Sequence, residues 1–281
     1  MMTESVIIRL CARAHNRMMT DFCSVDRRLL ATGYVPLVDI EAAPRIAREA
    51  IELGCRGLMI PSRCPPGHSP SHVGLDPLWA LIEEAGLPVL FHVGGEEKMN
   101  PAYFENGLPR VLDFHGGAEN FTSLSFMTIP VAIWQTLAAL VFDGVFDRFP
   151  RLKFGAIELG ASWVPSLMKF MDSGAAAFGR EERLQRLSAR PSEILQRQFR
   201  ATPYPHEDVA WILANAGEEV CMFSSDFPHI EGGRNPLKRF SESLEGVSDT
   251  ARRRFWRDNF IDLMGAGLPA DLHDIPARTA A

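Results

Sequence analysis

The sequence predicts an α/β fold in which short buried strands alternate with helices and pair in parallel. Apolar runs of strand length alternate with amphipathic segments of helix length, and the connections between them are short. Several of these apolar runs end in a charged residue or an imidazole, as strands do at the functional edge of such folds. The chain has 281 residues, 46% of them hydrophobic, and no composition break divides it, so we expect one large core.

The first half of the chain contains three strands and three helices by pattern. Apolar residues recur at helical spacing before a polar break at Ser24, and Asp39 is a plausible cap for the second helix. Gly54 and Gly86 are expected to end the second and third helices. In chain order the predicted elements are helix 3–24, strand 29–37, helix 42–53, strand 57–61, helix 77–85 and strand 88–93.

The second half begins with a long segment, 94–120, that is too polar and irregular for regular structure, and loops of this size are usually functional. A single domain is predicted over residues 1–265, followed by a mobile Pro- and Ala-rich tail, 266–281. The predicted elements between these limits are helix 130–146, strand 152–158, helices 162–178 and 191–198, a weak strand 198–202, helix 207–216, a strand from Val220, and helices 236–244 and 249–264.

Six parallel strands, each backed by a helix, predict a barrel of the TIM type, (β/α)8, in incomplete form. Closure needs eight strands, and the sequence opens on a helix that leads into a strand. We therefore predict about six strands, with the first two strand-helix units missing. Two sheet edges should then lack a neighbouring strand, which favours aggregation or association.

Composition excludes several classes of partner. The net charge is −6, the pI is about 5.8, and the longest basic block is 252–254, so neither nucleic acid nor an anionic membrane is expected. Five scattered cysteines without a C-x-x-C pair predict neither a disulfide framework nor a zinc ribbon and favour a cytoplasmic location. No run approaches 18 consecutive apolar residues. A small molecule is the expected partner.

Four residues at strand ends are the candidate functional residues. His92 follows a buried strand and precedes two glycines; it is either a metal ligand or a satisfied buried imidazole. Asp226 ends the last strand, where it can bind a metal, act as a general base toward a metal-bound water, or cap a helix. Glu158 is either a site residue or half of a rim salt bridge, and His229 is a candidate for proton transfer or a supporting hydrogen bond.

Two further histidines lie in loops that should face the same edge. His115 and His206 are predicted substrate contacts, although histidines in loops are often only solvated. The sequence contains no G-x-S-x-G elbow, no P-loop and no G-x-G-x-x-G after a strand. The sequence therefore gives no indication of a serine hydrolase, a nucleotide-phosphate site or a dinucleotide site.

Four motifs in order resemble the amidohydrolase-related family, amidohydrolase family 2, which includes the aminocarboxymuconate-semialdehyde decarboxylase-like enzymes. They are LPVLFHVGG at 87–95, FDGVFDRFP at 142–150, ELGASWVP at 158–165 and MFSSDFPHIEGG at 222–233. The resemblance implies a metal-dependent barrel in which a metal, commonly zinc, activates water or assists non-oxidative decarboxylation. It also implies that His92 and Asp226 are metal ligands and points weakly to a homodimer.

The sequence departs from this family in two places. Decarboxylase-like members carry a catalytic histidine in a His-Gly-Gly turn, where this chain has Glu158-Leu-Gly160, so Glu158 becomes a substitute acid/base or ligand. The family's x-His-x-His motif on the first strand has no counterpart, which makes absence of the metal an alternative to zinc. The leading hypothesis is a metal-dependent hydrolase of a small carboxylate or cyclic substrate. The alternatives are a decarboxylase and an inactive truncated barrel that is either a fragment or an interaction protein.

Overall fold

Five short strands form one parallel sheet, in which they lie side by side in chain order. The structure is a computed structural model that describes residues 4–94, 99–109, 122–180, 186–229 and 232–273. After each strand a helical segment carries the chain back to the edge where the strands begin, which is the connection that parallel neighbours require. The strands are β1 (Thr32–Tyr34), β2 (Gly57–Met59), β3 (Val89–His92), β4 (Phe154–Ile157) and β5 (Phe199–Ala201).

The predicted sixth strand is reduced to a single parallel bridge between Ala201 and Cys221. Ala201 N–H donates to Val220 O at 2.7 Å, and Met222 N–H donates back to Ala201 O at 3.0 Å. The order of the predicted strands and their parallel direction are confirmed. Among the described residues the barrel is open, as the strand count predicted.

Twelve α-helices surround the sheet in the described residues. They are α1 (Glu4–Cys23), α2 (Ala43–Leu53), α3 (Asp76–Ala85), α4 (Ser123–Phe126), α5 (Ile129–Phe142), α6 (Val145–Arg148), α7 (Val164–Ala177), α8 (Pro191–Gln198), α9 (Val209–Ala216), α10 (Pro236–Ser243), α11 (Asp249–Arg253) and α12 (Asn259–Met264).

Two of the predicted helices are interrupted. Helix 130–146 is divided between α5 and α6 because Gly144 takes a left-handed conformation with φ +76°. A π-helical turn, Arg254–Asp258, separates α11 from α12 inside the predicted helix 249–264. The predicted tail begins as two short 3₁₀ turns, Gly265–Gly267 and Ala270–Leu272, and residues 274–281 lie outside the described part of the chain.

The main core lies between the sheet and the helices. Phe154 of β4 is fully buried and stacks on Phe146 at 4.3 Å and on Phe91 at 6.3 Å between ring centroids. The alternate residues of β4 face the opposite side, where Leu263 of α12 packs so closely that a Cβ on Gly155 would lie 2.8 Å from it. Helix α12 thus packs on the face of the sheet opposite the main core.

The two edges of the sheet are protected by buried asparagines. Asn16 of α1 accepts a hydrogen bond from Tyr34 N at 2.6 Å and donates to Tyr34 O at 3.1 Å, as a neighbouring strand would. At the other edge Asn259 donates to Cys221 O at 2.7 Å, and Phe223 N–H donates to Phe255 O at 2.9 Å. In the described residues both edges lack a neighbouring strand, as expected, but asparagine side chains and the Phe255 carbonyl of flanking helices form the hydrogen bonds at these positions.

One segment, Ser123–Phe142, is long and apolar enough to cross a membrane, with a mean hydropathy of 1.7 over the best window. Core helices of soluble proteins pass the same test. Here Ile133, Leu137 and Leu140 are fully buried in the main core, and α4 and α5 are separated by a turn at residues 127–128.

Candidate active site

The ends of β3 and β4 bring His92 and Glu158 together. His92 is the last residue of β3 and is paired in register with Ile157, the last residue of β4. Glu158 is the next residue, so its side chain leaves the sheet at the same edge. This is the C-terminal edge, where parallel sheets of this kind place their active sites.

Four of the predicted site residues form one cluster at this edge. His92 Nε2 lies 2.9 Å from Glu158 Oε2. His229 Nδ1 lies 3.6 Å from Glu158 Oε1 and 3.4 Å from Asp226 Oδ1. Glu158 therefore occupies the centre, with one imidazole on each side.

The two carboxylates are more deeply placed than the two imidazoles. The Glu158 and Asp226 side chains are 13% and 14% exposed, whereas those of His92 and His229 are 40% and 59% exposed. A buried carboxylate needs hydrogen-bond donors or a cation nearby. The histidines supply the donors and also form the surface that a ligand would meet first.

Both carboxylate residues have a left-handed backbone, with φ 55° at Glu158 and 53° at Asp226. They are the described residues other than glycine with positive φ. Such conformations are strained and persist where the surroundings enforce them, frequently at functional sites. At Glu158 the strain occurs where the chain turns out of β4, and at Asp226 it occurs in the irregular segment after the bridge at Cys221.

Hydrogen bonding sets the protonation of the His92–Glu158 pair. The hydrogen bond to Glu158 raises the pKa of His92 above its ordinary value, against the opposing effect of burial. Burial alone would raise the pKa of Glu158, but the hydrogen bonds and charges of His92 and His229 outweigh it and lower that pKa. His92 Nδ1 lies 2.9 Å from Val93 O and donates there, which directs Nε2 to the carboxylate. Without a metal, the pair favours imidazolium and carboxylate.

The carboxylate oxygens and imidazole nitrogens of this cluster could bind a divalent metal. Ligand atoms of Glu158, Asp226 and His229 all lie within 4.8 Å of one another, a spacing compatible with metal–ligand bonds of about 2.0–2.2 Å. Imidazole and carboxylate together suit zinc, iron or manganese. The predicted ligand pair is His92 and Asp226. His92 Nε2 faces Glu158 Oε2, so a metal bound at this nitrogen would replace the proton that lies between His92 and Glu158.

His206 joins the cluster indirectly, through an aromatic group that the sequence did not predict. Its ring stacks on Tyr204 at 5.4 Å, and Phe126 lies 5.8 Å from both rings. The Tyr204 hydroxyl donates to Glu158 O at 2.7 Å, which connects the aromatic group to the cluster. His115, the other predicted substrate contact, lies outside the described residues.

Comparison with known proteins identifies the family. The family model described as amidohydrolase, Amidohydro_2, matches residues 1–264. The chain belongs to the amidohydrolase family. The expectation drawn from its four motifs is thereby confirmed, while a search of curated proteins found no match.

Solved structures of an amidohydrolase and of two decarboxylases share the fold. An amidohydrolase from Mycobacterium avium subsp. paratuberculosis is 28% identical with a TM-score of 0.73; the match covers 90% of this chain and 64% of that one. The 5-carboxyvanillate decarboxylase LigW from Sphingomonas paucimobilis is 18% identical with a TM-score of 0.65, and the match covers 91% and 72%. A dihydroxybenzoic acid decarboxylase from Polaromonas, with bound manganese and the inhibitor 2-nitroresorcinol, is 16% identical with a TM-score of 0.67, covering 94% and 77%.

Proposed function

We propose that this amidohydrolase-family chain is a metal-dependent decarboxylase that removes CO2 from a small aromatic carboxylate. The observation that carries the proposal is the cluster of His92, Glu158, His229 and Asp226 at the C-terminal edge of the sheet. Support also comes from decarboxylases among the proteins that share this fold, one of them with bound manganese. This reading takes precedence over the hydrolase that the motifs suggested first.

Non-oxidative decarboxylation exchanges one bond for another at a single carbon. The bond to the carboxylate breaks, its electron pair stays on the ring carbon, a proton adds there and CO2 leaves. The site must therefore orient the substrate and deliver one proton. A divalent metal held by Asp226, with His92 and Glu158 as the other candidate ligands, would supply the positive charge that binds substrate oxygens.

His229 is the residue we assign to proton delivery. Its Nδ1 faces the carboxylates of Glu158 and Asp226, so its Nε2 is the nitrogen left for a substrate. The two carboxylates beside Nδ1 hold the ring in one orientation. Its 59% exposure places it within reach of a ligand that enters from solvent.

The aromatic group beside the cluster suits a ring-containing substrate. The exposed His206 ring and the half-buried Phe126 ring pack on the buried Tyr204, whose hydroxyl bonds Glu158 O. Aromatic rings favour tilted or offset packing on such surfaces. In this proposal His206 contacts the ring of the substrate. His115 retains its predicted role as a substrate contact.

The test is CO2 release by the purified chain supplied with Mn²⁺ or Zn²⁺. We expect turnover of at least one of 5-carboxyvanillate and the dihydroxybenzoates, its loss on chelation, and its loss in Asp226→Asn. A chain that binds one metal ion and releases no CO2 from any of these acids would contradict the proposal.

A metal-dependent hydrolase remains the second candidate, favoured by one feature. Glu158 stands where the decarboxylase-like resemblance implies a histidine, and a carboxylate is a suitable general base toward water. Hydrolysis of lactone, ester or amide substrates by the metal-loaded chain, without CO2 release, would favour this candidate. Absence of both metal binding and turnover would instead favour an inactive chain with a role in interaction.

A further inference from the structure

The turn that carries Glu158, residues 158–162, contains two left-handed positions in close succession. Glu158 has φ 55° and Gly160 has φ 67°. Glycine adopts such a backbone readily, but for glutamate it is unfavourable. Something outside the turn must therefore hold Glu158 in this conformation.

The backbone of Glu158 is held at both of its polar atoms by the segment after β5. Its N–H donates to Thr202 Oγ1 at 3.0 Å. Its carbonyl accepts from the Tyr204 hydroxyl at 2.7 Å. Together these two bonds fix the peptide units on either side of the Glu158 Cα.

The far end of the turn is held by one carboxylate. Glu207 Oε1 accepts from Ala161 N at 3.1 Å and from Ser162 N at 2.7 Å. Glu207 Oε2 accepts from Ala161 N at 3.1 Å and from Tyr204 N at 2.6 Å. Glu207 thus joins the turn after β4 to the backbone of Tyr204.

The middle of the turn packs against Tyr204 and Glu207. Trp163 Nε1 lies 2.9 Å from both Leu159 O and Gly160 O and donates to these carbonyls. A Cβ on Gly160 would lie 3.2 Å from Glu207 Oε1 and 3.2 Å from the Tyr204 ring. The turn and the segment after β5 are therefore packed as one unit, with little space for another backbone conformation.

We infer that Tyr204 and Glu207 are positioning residues, a pair we call the brace, which aims the Glu158 carboxylate at His92 and His229. Rotation of Glu158 to an extended backbone would redirect its Cα–Cβ bond and remove the 2.9 Å contact with His92 Nε2. The brace prevents this rotation by fixing the Glu158 carbonyl and the amides of the turn. Its consequence for catalysis rests on the proposed function, but its effect on geometry does not.

The geometric effect can be read from the histidine side-chain ¹⁵N spectrum of the metal-free protein. The His92 signals are assigned by their loss in His92→Asn, and Glu158→Gln shows where they lie once the ion pair is removed. We expect Tyr204→Phe and Glu207→Gln to move the His92 Nε2 signal toward its position in Glu158→Gln. The exposed residues Tyr103 and Glu84 provide the matched controls Tyr103→Phe and Glu84→Gln, which should leave it unchanged.

The kinetic effect should follow the geometric one. In the metal-loaded chain we expect Tyr204→Phe to lower kcat by about 10- to 100-fold with little change in KM, as loss of supporting hydrogen bonds does at other sites. Glu207→Gln should act in the same direction, because the amide presents a donor to backbone N–H groups. If Glu207→Gln fails to fold, Tyr204→Phe decides alone, since it removes one hydroxyl and retains the stacked ring.

The inference is overturned if folded Tyr204→Phe keeps the wild-type His92 signal. A wild-type chain without turnover, in which Tyr204→Phe still moves the His92 signal, would refute the proposed function and retain the brace. Turnover in the wild type, with an unchanged His92 signal in Tyr204→Phe, would support the proposed function and refute the brace.

Discussion

The two turns that present Glu158 and Asp226 are alike in backbone and different in support. Both place an acidic residue with left-handed φ at the C-terminal edge of the sheet. The Glu158 turn is tied to a neighbouring segment by side chains of Thr202, Tyr204 and Glu207. In the Asp226 turn, His229 N–H donates to Asp226 O at 2.8 Å and Phe227 N–H donates to Ser225 Oγ at 3.3 Å, so these bonds are local.

The difference indicates which side of the site is fixed before a ligand binds. Glu158 is aimed by residues far along the chain, and β4 beneath it is anchored in the main core. The Asp226 turn leaves the ring of Phe227 88% exposed. We expect the Glu158 side to serve as the rigid reference on which metal or substrate is positioned.

The largest effect on stability should come from the support of β4. Phe154→Ala removes a fully buried ring stacked on Phe146 and Phe91, and such truncations cost about 3–5 kcal/mol of unfolding free energy. Phe227→Ala removes the exposed ring of the Asp226 turn and should stay within about 0.5 kcal/mol. Urea unfolding of both variants measures this; equal losses would contradict the contrast between the strand that supports Glu158 and the exposed ring at Asp226.

Sequence patterns predicted the positions of strands and helices well because burial produces a periodic signal. They also predicted that His92, Glu158 and Asp226 would share one edge, since strand ends meet there. They did not predict Asn16 or Asn259, because an asparagine that completes a sheet edge looks like any polar helix residue. Tyr204 and Glu207 gave no signal either, since a hydrogen bond between two loops depends on three-dimensional placement that no spacing along the chain encodes.

The next largest effect should be on turnover. Glu158→Gln removes the charge that orients both imidazoles, and loss of a general acid–base partner typically lowers the rate by about 10²-fold or more. Steady-state kinetics with metal present measure the change. Loss of activity is expected without unfolding, because the glutamine retains the size of the side chain; wild-type kcat in this variant would exclude Glu158 from the reaction.

A smaller effect should separate backbone strain from crowding at the brace. Gly160→Ala and Gly246→Ala both place alanine at positive φ, which costs about 1–2 kcal/mol. A Cβ at Gly246 meets nothing within 4 Å, whereas one at Gly160 meets Glu207 and Tyr204 at 3.2 Å. We therefore expect Gly160→Ala to be the more destabilising in thermal or urea unfolding. A smaller loss of unfolding free energy in Gly160→Ala than in Gly246→Ala would show that Tyr204 and Glu207 move to accommodate the added Cβ.

The smallest effect should be the pH dependence of the His92–Glu158 pair in metal-free protein. Because folding raises the pKa of His92, its contribution is full below the ordinary value of 6.5 and is lost as pH rises through the raised pKa. Because folding lowers the pKa of Glu158, its contribution is full above 4.5 and is lost as pH falls through the lowered pKa.

Both contributions are therefore present between pH 4.5 and 6.5. Since His92 is 40% exposed, solvent limits the pair to at most about 1 kcal/mol. The difference in unfolding free energy between wild type and Glu158→Gln should be largest inside this window and shrink on the alkaline side. A difference in unfolding free energy that stays constant or grows as His92 loses its proton would contradict this prediction.

The central claim is that His92, Glu158, Asp226 and His229 form one metal-dependent site. Manganese binding to the purified chain, measured by equilibrium titration with elemental analysis, tests it most directly. The account predicts one ion per chain in the wild type and affinity lowered by about 100-fold or more in Asp226→Asn. Absence of binding in the wild type, or equal affinity in Asp226→Asn, would contradict it.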